Sequence, residues 1–236
     1  MKFRHTRLWK NYHRYAKIVE NSSTRSTVDA LMFWKLLTEF KFDKFLEIGM
    51  YQGLTTGLFF DSNKQASVVA IDPFEHISLF DDIYSEHKIN LTFIKKQSQD
   101  VDLSGQVYDF ILIDGDHSYQ MARNDIFKCL PCLQQHSILA IDDYKMPGVA
   151  KAIEDLYNTN NDWVPFLQSE QTQFWHHRGC DRGNFLDSLL TNVIANFIFL
   201  HNITDHHGNT VCSATTLKIF TDRLDFFNLA LEQFDV

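Results

Sequence analysis

The spacing of hydrophobic positions changes along this chain. Val28, Leu31, Met32, Leu36 and Phe40 recur at helical intervals behind a Ser-rich stretch able to cap a helix, which predicts a helix over 27–40. From Lys44 onward, short continuous apolar runs take over. Strands are predicted at 44–49, 67–72, 91–95, 109–114 and 137–142. Between them, helical spacing is read at 55–60, 75–87, 119–133 and 147–157, the last with Pro147 in its first turn. Strands buried on both faces and alternating with helices predict an α/β fold, a doubly wound and mostly parallel sheet. Two further runs, 163–168 and 172–177, read as a closing strand pair. A linker at 179–183 then leads to a helix at 185–200, a strand at 215–220 and a helix at 223–234. The expected organisation is a polar, basic segment at 1–24, a core domain at 25–178, and an α+β extension at 179–236 serving as cap or dimerisation element.

Composition narrows the function. The formal net charge is −8, and basic residues cluster only near the start (Lys2, Arg4, Arg7, Lys10, Arg14, Lys17), so no nucleic-acid partner is expected. No apolar run is long enough to span a bilayer, and no secretory leader is visible; no membrane partner and a cytoplasmic location are expected. Phe occurs 21 times, which implies a bulky core, an apolar substrate surface or a dimer surface. Cys129 and Cys132 form a C-x-x-C pair, with Cys180 and Cys212 apart; buried thiols are favoured over a zinc site that would need four ligands. The sequons at Asn21, Asn90 and Asn202 carry little weight without a leader.

Ligands of open α/β sheets bind beyond the carboxyl ends of the strands. Polar residues collect there in order: Glu47, Gly49 and Gly53, then Asp72, then Ser98-Gln99-Asp100, then Asp114, Asp116 and His117, then Asp142 and Asp143. The glycines permit close backbone approach to a ligand, and Asp72 is placed to accept ribose hydroxyls. A nicotinamide enzyme would want Gly-x-Gly-x-x-Gly after the first strand; here three residues separate Gly49 from Gly53, with Glu47 before them.

The segment Asp114-Gly115-Asp116-His117-Ser118-Tyr119 is the most specific feature. It resembles class I S-adenosylmethionine-dependent methyltransferases, in particular the bacterial small-molecule O-methyltransferases related to the catechol and caffeoyl-CoA enzymes. The turn from Glu47 to Thr55, the Ser98-Gln99-Asp100 segment, and Asp142-Asp143-Tyr144 followed by Pro147-Gly148-Val149 resemble further motifs of that group, so the likeness covers roughly 27–178. It implies a Rossmann-like, seven-stranded domain in which Glu47, Gly49, Gly53, Asp72, Ser98, Gln99 and Asp114 hold S-adenosylmethionine. It implies Asp114, Asp142 and Asp143 as metal ligands, with Asp143 standing where Asn is common, and His117 and Asp114 as catalytic groups.

Three carboxylates suit a hard cation, Mg²⁺ first, with Ca²⁺ or Mn²⁺ as alternatives; without one they would repel and some would protonate. The implied reaction is methyl transfer to a hydroxyl oxygen of a small molecule. A metal-independent or N-directed enzyme and a non-catalytic S-adenosylmethionine-binding protein are the alternatives. His117 is weighed as a base against a mere hydrogen-bonding residue, and Asp116 as a helix-start cap. The pairs His176-His177 and His206-His207 are read as surface or loop features, and Phe174 and Trp175 as packing residues. A homodimer is carried as an open expectation.

Overall fold

The structure, a computed structural model, describes residues 33–34, 36–38, 40, 42–169 and 171–180, together with the backbone of strands at 216–220 and 226–230. The 1–24 segment, most of the linker, the 185–200 helix, Cys212, His206-His207, and the sequons at Asn21 and Asn202 lie outside the described residues.

The described residues of the predicted first helix that precede the sheet (33–34, 36–38 and 40) are helical. Strand β1 is Lys44–Ile48, followed by helix α1, Leu54–Ser62, and strand β2, Ser67–Ile71. Helix α2 is Ser78–Tyr84 and strand β3 is Leu91–Ile94. Strand β4 is Tyr108–Ile113, helix α3 Tyr119–Cys129, strand β5 Leu133–Ile141 and helix α4 Pro147–Thr159. Strands β6, Trp163–Gln168, and β7, Gln173–His177, form a hairpin. Strands β8, Thr216–Phe220, and β9, Phe226–Ala230, complete the sheet. The strand order is β3-β2-β1-β4-β5-β7-β6-β8-β9. The first five strands are parallel, and β7 returns antiparallel beside β5. The order reverses between β1 and β4, which puts the switch point, and the crevice it opens, at their carboxyl ends.

Strand pleating divides the core into two chemically different layers. Phe45, Phe110, Leu112 and Ile138 face one side, with the 33–40 helix and α1. Leu46, Ile111, Ile113 and Leu139 face the other, with α3 and α4. The first layer is aromatic: Phe45 stacks on Phe59 at 4.3 Å between ring centroids, Phe33 meets Phe174 edge-on at 5.1 Å, and Phe42 sits 5.6 Å from Phe110. The second is mainly aliphatic, Tyr108, Trp163 and Trp175 apart, and takes in Cys129 and Cys132, both buried. Burial pushes the Cys129 thiol well above its ordinary pKa and raises that of Cys132 as well, as expected of thiols that pack in a core. Much of the phenylalanine is thus core.

Three expectations change. The single helix read at 75–87 begins at Ser78 and tightens into a 3-10 turn over Ser85–Asn90; the Asp72-Pro73 turn before it keeps 75–77 out of the helix. The helix read at 223–234 is strand over Phe226–Ala230, paired antiparallel with β8, where the adjacent aromatics Phe226 and Phe227 favour extended backbone. Strand β8 pairs with β6 through Leu167↔Ile219 and Gln168↔Lys218, so the extension lengthens the same sheet. No helix among the described residues is long and apolar enough to cross a membrane.

Candidate functional site

On the β1–β2 side, backbone geometry builds the site. Gly49 follows β1 in the left-handed region, φ +88°, and its N–H donates to the Ile71 carbonyl at 2.9 Å. A Cβ there would lie 1.9 Å from the Asp114 carbonyl oxygen, so only glycine lets the turn press against the end of β4. Tyr51 is also left-handed, φ +47°, and its N–H donates to Asp72 Oδ2 at 2.8 Å. Asp72 Oδ1 accepts the Phe74 N–H, also at 2.8 Å. The buried Asp72 carboxylate therefore ties the turn after β1 to the turn after β2, and each oxygen keeps a second lone pair for a ligand. Gly53 leads into α1, where a side chain would strike Met50 and Phe80. Glu47 is buried and accepts the Thr56 hydroxyl at Oε2.

The Ser98–Asp100 turn lies next to this region. Ser98 is buried, and its hydroxyl donates to Asp125 Oδ1 at 2.5 Å. Lys128 Nζ donates to the carbonyls of Ser98 and Gln99 at 2.6 and 3.0 Å. The Gln99 side chain is exposed.

On the β4–β5 side, charged side chains build the site. Asp114, His117 and Asp143 each offer one ligand atom, and these atoms lie within 4.8 Å of one another. His117 Nε2 is 3.2 Å from Asp143 Oδ2, an ion-pair distance. That nitrogen is shielded from solvent and forms no hydrogen bond among the described residues. Asp143 sits in the left-handed region, φ +47°. Asp142 stands outside the group: it is buried, and its Oδ1 accepts the Thr172 hydroxyl. Of the three expected metal ligands the structure thus gathers Asp114 and Asp143, and His117 completes the cluster. Asp116, expected as the helix-start cap, lies two residues before it: the N-cap of α3 is Ser118, whose N–H donates to Asp116 Oδ1 at 2.7 Å, and that bonding to Ser118 holds the Asp116 carboxyl below the usual range.

Sequence reasoning missed two contributors, Thr172 and Asp125, and the packing role of a third, Gly148, which it had noted only as part of a motif. Gly148 starts α4 against the loop before α3; a Cβ there would lie 2.2 Å from the His117 carbonyl oxygen, so the close approach sets where His117 sits. Thr172, in the β6–β7 turn, reaches Asp142 from a segment with no motif. Asp125 occupies a core-facing position of α3 with Ala122, Ile126 and Cys129, and a carboxylate inside that apolar stripe was the available signal. Phe174 and Trp175 are fully buried, one in each core layer. His176 is buried too, edge-on to Phe166 at 5.1 Å; β7 runs inside the sheet, between β5 and β6, which corrects its reading as a surface residue.

Comparison with known proteins fits this geometry. A family described as a methyltransferase domain matches residues 46–144. An uncharacterised protein of Acanthamoeba polyphaga mimivirus is 25% identical over 167 residues, covering 62% of this chain and 70% of its own. Among solved structures, a Podospora anserina methyltransferase bound to S-adenosylhomocysteine superposes with a TM-score of 0.58 at 12% identity, covering 73% of this chain and 88% of its own. The O-methyltransferase TomG of Streptomyces achromogenes, in complex with S-adenosylmethionine, gives 0.57 at 12% identity, covering 73% and 90%. An O-methyltransferase of Bacillus cereus in complex with S-adenosylhomocysteine gives 0.56 at 14% identity, covering 72% and 88%. Residues 46–144 thus match a family of methyltransferase domains, and the chain shares the Rossmann-like fold of the class I, S-adenosylmethionine-dependent methyltransferases.

Proposed function

We propose that this protein transfers a methyl group from S-adenosylmethionine to a hydroxyl oxygen of a small molecule, assisted by a divalent cation. One observation carries the reading: Gly49, Asp72 and the Asp114–His117–Asp143 cluster lie along one carboxyl edge, with the Gly49 turn pressed against Asp114. The turn suits a nucleoside ligand, since a Cβ would fill its cradle and Asp72 retains acceptor capacity. Asp72 would take the ribose hydroxyls, Glu47 would support the turn from below, and Ser98-Gln99 would flank the base. The second cluster suits a cation, because two carboxylates face a shielded imidazole nitrogen. Asp114 and Asp143 would hold it, with Mg²⁺ or Mn²⁺ the fitting choices; a histidine ligand would tilt the choice to Mn²⁺.

Bound together, cofactor and cation supply an electrophilic methyl and a charge that lowers the pKa of the acceptor hydroxyl. The chain supplies orientation and a proton sink. His117 takes the hydroxyl proton, and Asp143, 3.2 Å from Nε2, stabilises the imidazolium that results. The His117–Asp143 pair also favours a second reading, metal-independent transfer with the pair alone as base. Acceptors of sugar or phenol type are the first to test.

Calorimetry with S-adenosylhomocysteine against NAD tests the cofactor, and the former alone is expected to bind. Methyl transfer to a panel of hydroxylated acceptors, with and without a chelator, tests the cation. The expected outcome is loss of turnover with cofactor binding intact. Turnover unaffected by chelation would select the metal-independent reading.

A further inference from the structure

Asp125 is a carboxylate at 1% exposure on a helix otherwise packed by aliphatic residues, and burying such a group without a task is costly. Its surroundings give it one. Oδ1 receives the Ser98 hydroxyl at 2.5 Å, and Asn124 Nδ2 lies 3.5 Å away. On its other side is Gly115, the residue after Asp114: a methyl group built there would lie 3.5 Å from Asp125 Oδ2 and 3.3 Å from Ile48 Cγ2. One turn further along α3, Lys128 reaches the carbonyls of Ser98 and Gln99. A single helix therefore grips the turn after β3 at three atoms, while its buried carboxylate rests against the loop after β4.

We infer that Asp125 is a positioning residue for the nucleobase end of the cofactor site: through Ser98 it fixes the Ser98–Gln99 turn at a set height above Gly115, leaving a slot for a flat purine. This rests on the S-adenosylmethionine reading above. The chemistry is selective. A charged acceptor locks the Ser98 hydroxyl as a donor inward, and the Asp100 and Val101 N–H groups are already spent on the Gln97 and Ser98 carbonyls, so the polar groups the turn keeps for a base are few and fixed, with the exposed Gln99 amide among them. Lys128 holds the two carbonyls from behind. The slot thus presents a fixed pattern of donors and acceptors, suited to telling a 6-amino from a 6-oxo purine.

The test uses the full chain and two probes, S-adenosylhomocysteine and its inosine counterpart, S-inosylhomocysteine, titrated by calorimetry into the wild type, Asp125→Ala, Asp125→Asn and Ser98→Ala. Loss of one hydrogen bond to a charged group is expected to weaken the adenine ligand about tenfold in Asp125→Ala. Binding of the inosine ligand should change little, so discrimination between the two collapses. Asp125→Asn keeps an oxygen for Ser98 and should retain most of the discrimination. Ser98→Ala should resemble Asp125→Ala, and it serves where Asp125→Ala fails to fold. Equal weakening of both ligands would mean general loosening and would overturn the inference, as would unchanged discrimination in Ser98→Ala. A wild type that binds neither probe would instead overturn the cofactor reading beneath it.

Discussion

The two halves of the carboxyl edge solve different problems with the same residue type. On the β1–β2 side, the Asp72 carboxylate is held by backbone N–H groups of Tyr51 and Phe74, and the chain conformation is fixed by residues in the left-handed region. On the β4–β5 side, Asp114 and Asp143 are gathered around an imidazole, and side-chain placement decides the geometry. The first arrangement is rigid before any ligand arrives, as would suit the nucleoside of the proposed cofactor. The second concentrates negative charge beside a titratable base, as suits chemistry that moves a proton. The contrast predicts that the first half breaks through backbone changes and the second through charge changes.

The largest effect is expected from Gly49→Ala. The added methyl would meet the Asp114 carbonyl at 1.9 Å in a backbone region that penalises L side chains. Strain and clash together should cost about 4 kcal/mol of stability. Chemical denaturation measures it, and calorimetry should find S-adenosylhomocysteine binding lost. A variant as stable as the wild type would mean that the turn is not packed as described. Asp143→Ala comes next. Methyl transfer should fall about a hundredfold, while S-adenosylhomocysteine affinity stays within about twofold. Matching losses in both would merge the two halves into one site.

The fold was readable because the strands are short apolar runs with sharp polar ends, and each end is a chain-local event: Ile48 to Gly49, Ile71 to Asp72, Ile113 to Asp114, Ile141 to Asp142. The β1–β2 half of the candidate site was readable because its residue types announce themselves: Gly49 and Gly53 take left-handed backbone, and Asp72 accepts the Phe74 N–H of the turn it begins, although their contacts with Asp114, Phe80 and Tyr51 come from the fold. What escaped depends on packing between distant segments. Asp142 and Asp143 are neighbours in sequence, yet one is drawn into the β6–β7 turn by Thr172 and the other faces His117, and nothing in a dipeptide states which. Gly148 carries no unusual φ; its need for a bare Cα arises only where α4 meets the His117 backbone. The 226–230 strand was misread because helical spacing was followed where the adjacent aromatics Phe226 and Phe227 and the pairing with β8 favour extended backbone.

Among charge changes a smaller effect is expected from His117→Ala. Removing the proposed base should lower turnover about tenfold near neutral pH, with partial recovery in more alkaline buffer as the acceptor hydroxyl ionises unaided. A pH–rate profile for a hydroxylated acceptor reads both. Loss that persists at every pH would make His117 a ligand of the cation in place of a base, and so would move the proton-transfer role to Asp143.

The smallest effect tests the strut between the halves. Burial raises the Asp125 carboxyl above its ordinary 3.8, against the opposing influence of the Ser98 hydrogen bond, the Asn124 amide and Lys128, with nearby Asp116 adding to the rise. A carboxyl with a raised folded-state pKa is neutral in both states in strong acid, where it takes nothing from stability. As pH climbs past 3.8 the unfolded chain ionises first, so stability is lost until the folded group ionises too, and the deficit then stays constant. Asp125→Asn removes this titration. Thermal melts of the two proteins across an acid-to-neutral series should therefore diverge in the variant's favour as pH rises, then run parallel. Divergence in the opposite direction would show that Ser98 and Lys128 outweigh burial, making Asp125 a charge the fold prefers to keep ionised. A pH-independent difference would remove the titration altogether and leave Asp125 a purely geometric support for Ser98.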